Sequence, residues 1–362
     1  MKNFILNKYL VNEFLKSFFN VILMFIALGL IMNLFEEINF FREFNVSLLL
    51  PLALSFLIIP SILVSMLPFI IFLSSMALFI KLKNNRDLLS LKILGFSNTN
   101  FLIIFSLTAF ILGIFTLVAI NPLTSISVKY YEDIKGKYDV YKNHLASITD
   151  NGIWIREKID NTTQIINAKA LDGNELKIVS VYKFNEKKVL FERIQSKKAQ
   201  ISSTRWIMRD STLTTFGEEN LEEKFETLIF YSNYDAEKLN SIYSNLDTIS
   251  FYRLLTNSKE LIDRGYNKDL LIEKKHFYLS LPFFLILMVC LSGIFTLNSN
   301  DKKQNTYYIV LSIMVCAIIF FFKNFSAVLG TTERIPLLIS VWSPVIILTL
   351  FCSVGVIQIN DK

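Results

Sequence analysis

Cysteine and histidine are scarce in this 362-residue chain, which holds 3 of the first and 2 of the second. Cys290, Cys316 and Cys352 all fall inside long apolar runs, where a small polarizable side chain is ordinary packing material. Neither a disulfide framework nor a thiolate zinc site is available elsewhere. His144 and His276 have no metal-ligand spacing, and the chain contains no GxxxxGK[ST] phosphate loop, no HExxH pair and no GxSxG elbow. The carboxylates Glu36/Glu37 and Glu222/Glu223 are adjacent, so they cannot share a helix or strand face for acid/base work. No enzyme is legible in the chain alone.

Apolar surface is what the chain has in excess. It is 52% hydrophobic and 14% aromatic with a mean hydropathy of +0.45, too apolar for a soluble globule. A helix needs about 20 apolar residues to cross roughly 30 Å of hydrocarbon, and runs of that kind lie near 14–34, 59–82, 99–120, 276–297, 306–330 and 336–357. Six spans are expected. The first follows Lys2, Lys8 and Lys16 as a signal peptide would, but its core is too long and no small-residue cleavage site follows. It is expected to remain as an anchor. The run from Ser47 to Leu82 is too long for one crossing. Pro51, Pro60 and Pro68 allow a break, so an interfacial helix near 47–58, a kink and then the second span are expected.

Lysine and arginine in short loops set the orientation. The N-terminus, the loop after span two (Lys81, Lys83, Arg86, Lys92) and the loop after span four (Lys302, Lys303) are basic, whereas the loops after spans one and five are poorer. Both termini are therefore expected in the cytoplasm, with the polar segment of roughly 122–272 outside. Residues 123–273 hold 22 Lys and Arg against 23 Asp and Glu, leaving 15 against 8 elsewhere. The net charge of +6 is thus an orientation signal, and a nucleic-acid partner has no support.

The outer segment reads as β. Stretches at 152–158, 162–171, 175–184, 188–201, 204–210 and 223–232 are rich in branched and aromatic residues and are separated by turn-like LDGN, FNEK, ISST and FGEEN. That spacing suits an antiparallel sandwich or open barrel. Alternation around Ile165, Ile178, Tyr182, Phe184, Trp206 and Phe230 marks either the core or an apolar slot. TISFYRLLTNSKELIDRGY (248–266) starts at Thr/Ser and has Gly265 just past its end, which predicts one helix leading back to the membrane.

NNRDLLSLKILGF (84–96) is too short to span and too apolar to idle as a loop. Asn84 or Asn85 can cap a helix, Arg86 and Asp87 can open it and Gly95 can close it. Its leucines and isoleucine spread almost all round the axis. A helix of about ten residues, marginal alone, must be buried against its own spans or against another protein.

Several stretches carry a resemblance: NRDLLSLKILGFSNTNF, GIWIRE, YKFNEKKVLFERIQSKKAQ followed by TRW, SFYRLLTNSKELIDRGYN, and IPLLISVWSPVIIL. Together they resemble the LptF/LptG permease family of the lipopolysaccharide exporter almost end to end, and the GIW opening with the IP and SP pattern is closer to LptG. The resemblance implies an α-helical membrane protein with six transmembrane helices plus a periplasmic all-β (jellyroll-like) domain, in the bacterial inner membrane. It divides the chain into 1–121 (helices one to three, with a coupling helix at about 84–95), 122–247 (jellyroll), 248–272 (connecting helix) and 273–362 (helices four to six). Implied partners are a cytoplasmic ABC ATPase dimer (LptB-like), a second permease (LptF-like), a periplasmic jellyroll protein (LptC/LptA-like) and lipopolysaccharide. The chain itself would hold no cofactor or metal; ATP and magnesium would sit on the ATPase.

On the same resemblance Arg86, Asp87, Leu88, Leu91 and Gly95 would contact the ATPase. Asp87 stands where the family has usually glutamate, one methylene longer. The permeases would open a lateral gate between their first and fifth spans. Lys323, about 26 Å along a helix entered from the cytoplasm at Thr306, lies at outer headgroup depth. It is either a partner for lipid A phosphates or a snorkelling lysine. Arg42 is a weaker candidate for the same contact. The family's lysines near the outer end of span one are replaced here by NLFEEINFF. Two other classes fit parts of the pattern: another ABC-type lipid or lipoprotein export permease, and a membrane-anchored ligand-binding scaffold without transport. The first places its outer domain after span one, and the second predicts no ATPase partner.

Overall fold

In the computed structural model, the structure describes residues 2–139, 144–149, 152–159, 162–172, 174–185, 189–217, 221–236, 239, 246–263, 266, 268–297, 302–332 and 334–360. Six helices are long and apolar enough to cross a membrane. They are α1 (Lys2–Phe40), α2 (Leu49–Asn84), α4 (Asn98–Phe115) continued by α5 (Asn121–Asp139), α8 (Lys268–Leu297), α9 (Lys302–Thr331) and α10 (Leu337–Asn360). The short α3 (Asp87–Ile93) joins α2 to α4, and α6 (Phe251–Thr256) and α7 (Ser258–Asp263) precede α8. The chain divides into two compact units: residues 1–128, 249–252 and 272–362 form the helical one, and 129–248 with 253–271 the other.

The expected break before span two is absent. Pro60 and Pro68 lie inside one continuous helix of 36 residues, about 54 Å at 1.5 Å per residue. Each proline removes one ladder hydrogen bond, but unwinding inside hydrocarbon would strand several backbone groups, so the helix persists. The third span also outruns its expected end. Asn98 to Asp139 is one helical rod that passes through a π-helical turn at Thr116–Ile120. Pro122 cannot donate to the carbonyl of Val118, and the wider turn absorbs that lost bond. The segment 248–266 forms two short helices rather than one: Asn257 N–H bonds to Arg253 O, and the chain restarts at Ser258.

Several contacts set the order of the helical unit at its α3 end. Asn98 Nδ2 donates to Ile359 O at 3.0 Å, tying the start of α4 to the end of α10. Phe14 of α1 stacks on Phe105 of α4 at 5.5 Å. The α4–α8 contact depends on a small residue, since a Cβ on Gly113 would lie 2.9 Å from Pro282 Cα. Such close approach is how helices associate where lipid supplies no hydrophobic driving force. Cys290, Cys316 and Cys352 are all free thiols in this unit, Cys316 and Cys352 buried.

The second unit is a seven-stranded antiparallel sheet in chain order: β1 (His144–Thr149), β2 (Gly152–Ile159), β3 (Thr162–Asp172), β4 (Glu175–Phe184), β5 (Leu190–Gln200), β6 (Arg205–Thr215) and β7 (Leu221–Tyr231). β1 lies before the first strand expected from the sequence. Pairing lapses along one row that crosses the sheet through Lys169, Ile178, Lys197, Asp210 and Glu226. Ile178 and Asp210 adopt φ of 49° and 52°, a left-handed conformation that is unfavourable for a β-branched residue. Along that row the buried set changes parity: Leu176 gives way to Val179 and Val181, and Ile194 to Ala199 and Ile201. Residues on both sides of the line belong to one core around Trp206. A meander thereby encloses its own core through a fold line, without crossed connections.

Candidate functional site

Two places in the helical unit and one in the sheet unit carry side chains of functional interest. The first is α3. It opens without the expected asparagine cap: Asn84 ends α2, Asn85 N–H bonds back to Lys81 O, and Arg86 takes the left-handed N-cap position at φ 61° with no side-chain cap. Its close is as expected. Gly95, at φ +94°, donates to Lys92 O, and Phe96 N–H donates to Leu91 O, the paired bonds of a Schellman motif. A side chain at residue 95 would carry the strain of that φ.

The leucines of α3 divide between two sides. Leu91 is only 5% exposed and turned into the chain's own helices, whereas Leu89, Ile93 and Leu94 are open, Ile93 at 78%. Of the residues expected to meet a partner, Arg86 and Gly95 are exposed, Asp87 and Leu88 half-buried, and Leu91 enclosed. Leu91 is therefore part of the helix's seat. The outward apolar residues were missed by the sequence reading. Leu89 and Ile93 are four residues apart and share a face, so the stripe was readable, but not which side is covered. A cleft of about 350 Å³ beside it is lined by Asn7, Leu94, Gly95, Phe96, Asn100 and Ile103 among others.

The second place is the opposite end of α9. Lys323 does not reach out of the protein: it is 7% exposed, and its Nζ lies 4.1 Å from the ring centroid of Phe277 and 4.5 Å from that of Phe284, both on α8. Two π faces attract an ammonium through the ring quadrupole. Among the described residues, Glu273 and Lys274, also on α8, are charged groups that act on it. Close by in sequence, Trp342 Nε1 on α10 approaches His276 Nδ1 at 3.5 Å. Arg42 lies exposed in a short 3-10 turn, Phe41–Glu43. The aromatic cage was not visible in the sequence, because Phe277 and Phe284 are two among 33 phenylalanines.

In the sheet unit a cleft of about 200 Å³ is lined by Gln164, Lys183, Glu192, Ile194, Leu213 and Phe230 among others. Lys183 and Glu192 pair at 2.8 Å across β4 and β5, and the Lys183 ammonium lies 5.7 Å from the Phe230 ring centroid. Of the six alternation residues, Trp206 and Phe230 are buried and Trp206 Nε1 donates to Tyr234 O at 2.7 Å. Ile178 is exposed because the fold line reverses its face. Outside the spans, the hairpin pair Asp172–Lys177 at 2.5 Å depresses the Asp172 carboxyl and raises the Lys177 ammonium.

Compared with known families, residues 8–358 match the one described as Lipopolysaccharide export system permease LptF/LptG. No curated protein matches the chain.

Proposed function

The chain belongs to the LptF/LptG family of lipopolysaccharide export permeases, and from that premise we propose that it draws lipopolysaccharide out of the bacterial inner membrane and passes it to a periplasmic β-jellyroll bridge. Membership makes it a membrane-embedded permease subunit of an ABC transporter that works with an ATPase and a second permease. In our reading ATP and magnesium are bound by a separate cytoplasmic ATPase dimer, both termini of the permease are cytoplasmic, and its sheet unit stands in the periplasm.

The observation that carries this reading is the division of α3. Leu91 seats the helix on its own bundle while Leu89, Ile93 and Leu94 face outward beside a cleft. A seven-residue helix with an uncovered apolar side suits a groove in a partner, and Arg86 and Asp87 at its start supply charges of both signs for register. Asp87, half-buried and one methylene short of the family's glutamate, makes the shortest reach of these contacts. At the other end Lys323 is the substrate contact: a lipid A phosphate gains a charge-assisted hydrogen bond by drawing its ammonium off the Phe277 and Phe284 rings. Arg42, exposed beyond α1, is a second cation for the same headgroup. The gate lies between α1 and α9.

Purification in mild detergent tests the first claim. A stoichiometric ATPase subunit is expected with the wild-type chain and is lost with Asp87→Lys or Ile93→Glu. A wild-type chain that retains no ATPase in any detergent would remove the exporter reading. For Lys323, a photoreactive residue at that position is expected to crosslink lipopolysaccharide; labelling of phospholipid alone would reassign it to a packing role.

A further inference from the structure

At the α3 end of the bundle a nearly buried carboxylate joins two helices. Glu13 of α1 is 7% exposed. One of its oxygens accepts from Lys16 Nζ at 2.8 Å, the other from Lys81 Nζ at 2.7 Å. Lys16 is a neighbour on the same helix, and its side chain is 70% exposed. Lys81 lies on the last turn of α2. One turn further along α1, Ser17 Oγ donates to Ser74 O of α2 at 2.8 Å. The same two turns hold the buried Leu10, Phe14 and Phe18; from there to Glu37, no described residue of α1 is buried.

Lys81 is also where α2 turns into α3. Its carbonyl accepts the Asn85 N–H at 3.0 Å, Arg86 follows in the left-handed conformation, and Asp87 at the start of α3 acts on the same ammonium. A displacement of α3 therefore reaches, along the chain itself, the residue that grips α1. The neighbouring apolar contacts permit one helix to slide over the other, since dispersion is non-directional and spread over many atoms. Of the two charge-assisted hydrogen bonds on this carboxylate, both directional and short, the one from Lys81, whose side chain is 56% exposed, crosses between the helices.

We propose that the Glu13–Lys81 ion pair is the strut through which movement of the ATPase-docking helix α3 displaces the gate helix α1. This rests on the docking and gate roles proposed above and adds the residues that connect them. Both would be positioning residues, acting through α1 and α3.

The test uses the complete complex of ATPase and both permeases in proteoliposomes, reading lipopolysaccharide released per ATP hydrolysed alongside retention of the ATPase. Lys81→Met and Glu13→Gln are expected to keep the ATPase bound and ATP turnover within about twofold of wild type. Release per ATP is expected to fall at least about fivefold, the lower range of a coupling free energy between sites. Lys81→Arg keeps the bridge and Lys16→Met removes only the cation on α1 itself, so both should release as wild type does. Wild-type release per ATP from Lys81→Met would overturn the strut, as would an equal loss from Lys16→Met, which would mean that Glu13 needs only some cation. Should the single variants not fold, the double variant Glu13→Gln with Lys81→Met leaves only the exposed Lys16 without its carboxylate and must show the same uncoupling. Ile93→Glu separates the two claims: if it retains the ATPase, the docking role of α3 fails, whereas full coupling in Lys81→Met sinks the strut alone.

Discussion

Helices α1 and α8 have the same mean hydropathy over their most apolar stretches, yet 11% of that stretch is buried in α1 and 72% in α8. Apolar composition places a segment in lipid because lipid and protein interior are almost equally good solvents for it. For that reason it says nothing about which spans pack together. α8 is buried because it offers close approach: Pro282 lies against Gly113 of α4, and Gly293 lies against Leu102. Its Ser280 and Ser292 satisfy themselves on their own backbone at 2.9 Å each. α1 presents Phe19, Leu23, Met24, Met32 and Phe35 to its surroundings and is held near its two ends. On the gate role proposed above, the sparse seating of α1 suits a span that moves against its neighbours.

Substitution can break that contrast. The largest effect is expected from Gly113→Leu, whose side chain has no room against Pro282 Cα; folded protein should be lost from detergent extracts, while Gly29→Leu, with only Ile62 Cγ2 at 4.0 Å, should purify normally. Equal losses from the two would end the distinction between these helices. Next is Phe284→Ala on α8, fully buried, which should cost about 3–5 kcal/mol in a reversible unfolding measurement. Phe35→Ala, exposed on α1, should cost less than about 1 kcal/mol. The milder Gly113→Ala should destabilise by about 1–3 kcal/mol, since Pro282 is backbone and cannot swing aside. Gly29→Ala should be neutral or stabilising by up to about 1 kcal/mol, because it gains helix propensity and its Cβ meets only Ile62 Cγ2 at ordinary contact distance. A thermal melt of these two alanine variants side by side reads the sign.

The sheet unit shows the opposite relation between sequence and burial. Branched and aromatic stretches between turn-like residues at 152–158, 162–171 and 175–184 located β2, β3 and β4 to within a residue at either end, because a half-buried strand favours such side chains; alternation marks its inner face at every second position. It failed at Ile178, where a left-handed residue on the fold line shifts the parity. Nothing in an isoleucine announces that conformation. In α3 the Gly95 stop was legible, since the Schellman close requires a left-handed residue there. The start was not, because Arg86 took that conformation in place of an asparagine cap.

By itself the sequence determined the number of spans, the existence of the sheet unit and six of its seven strands, the location of the short interruption at 84–96, and, through motif likeness, the family. Each of these depends on local composition, period or turn chemistry. Only the tertiary structure decided that Leu91 turns inward while Ile93 turns out, that Lys323 lies between two phenylalanine rings, and that Glu13 reaches Lys81 across 68 residues. Those are long-range pairings among many chemically equivalent candidates, and they are selected by which helix faces approach closely enough to exclude everything else.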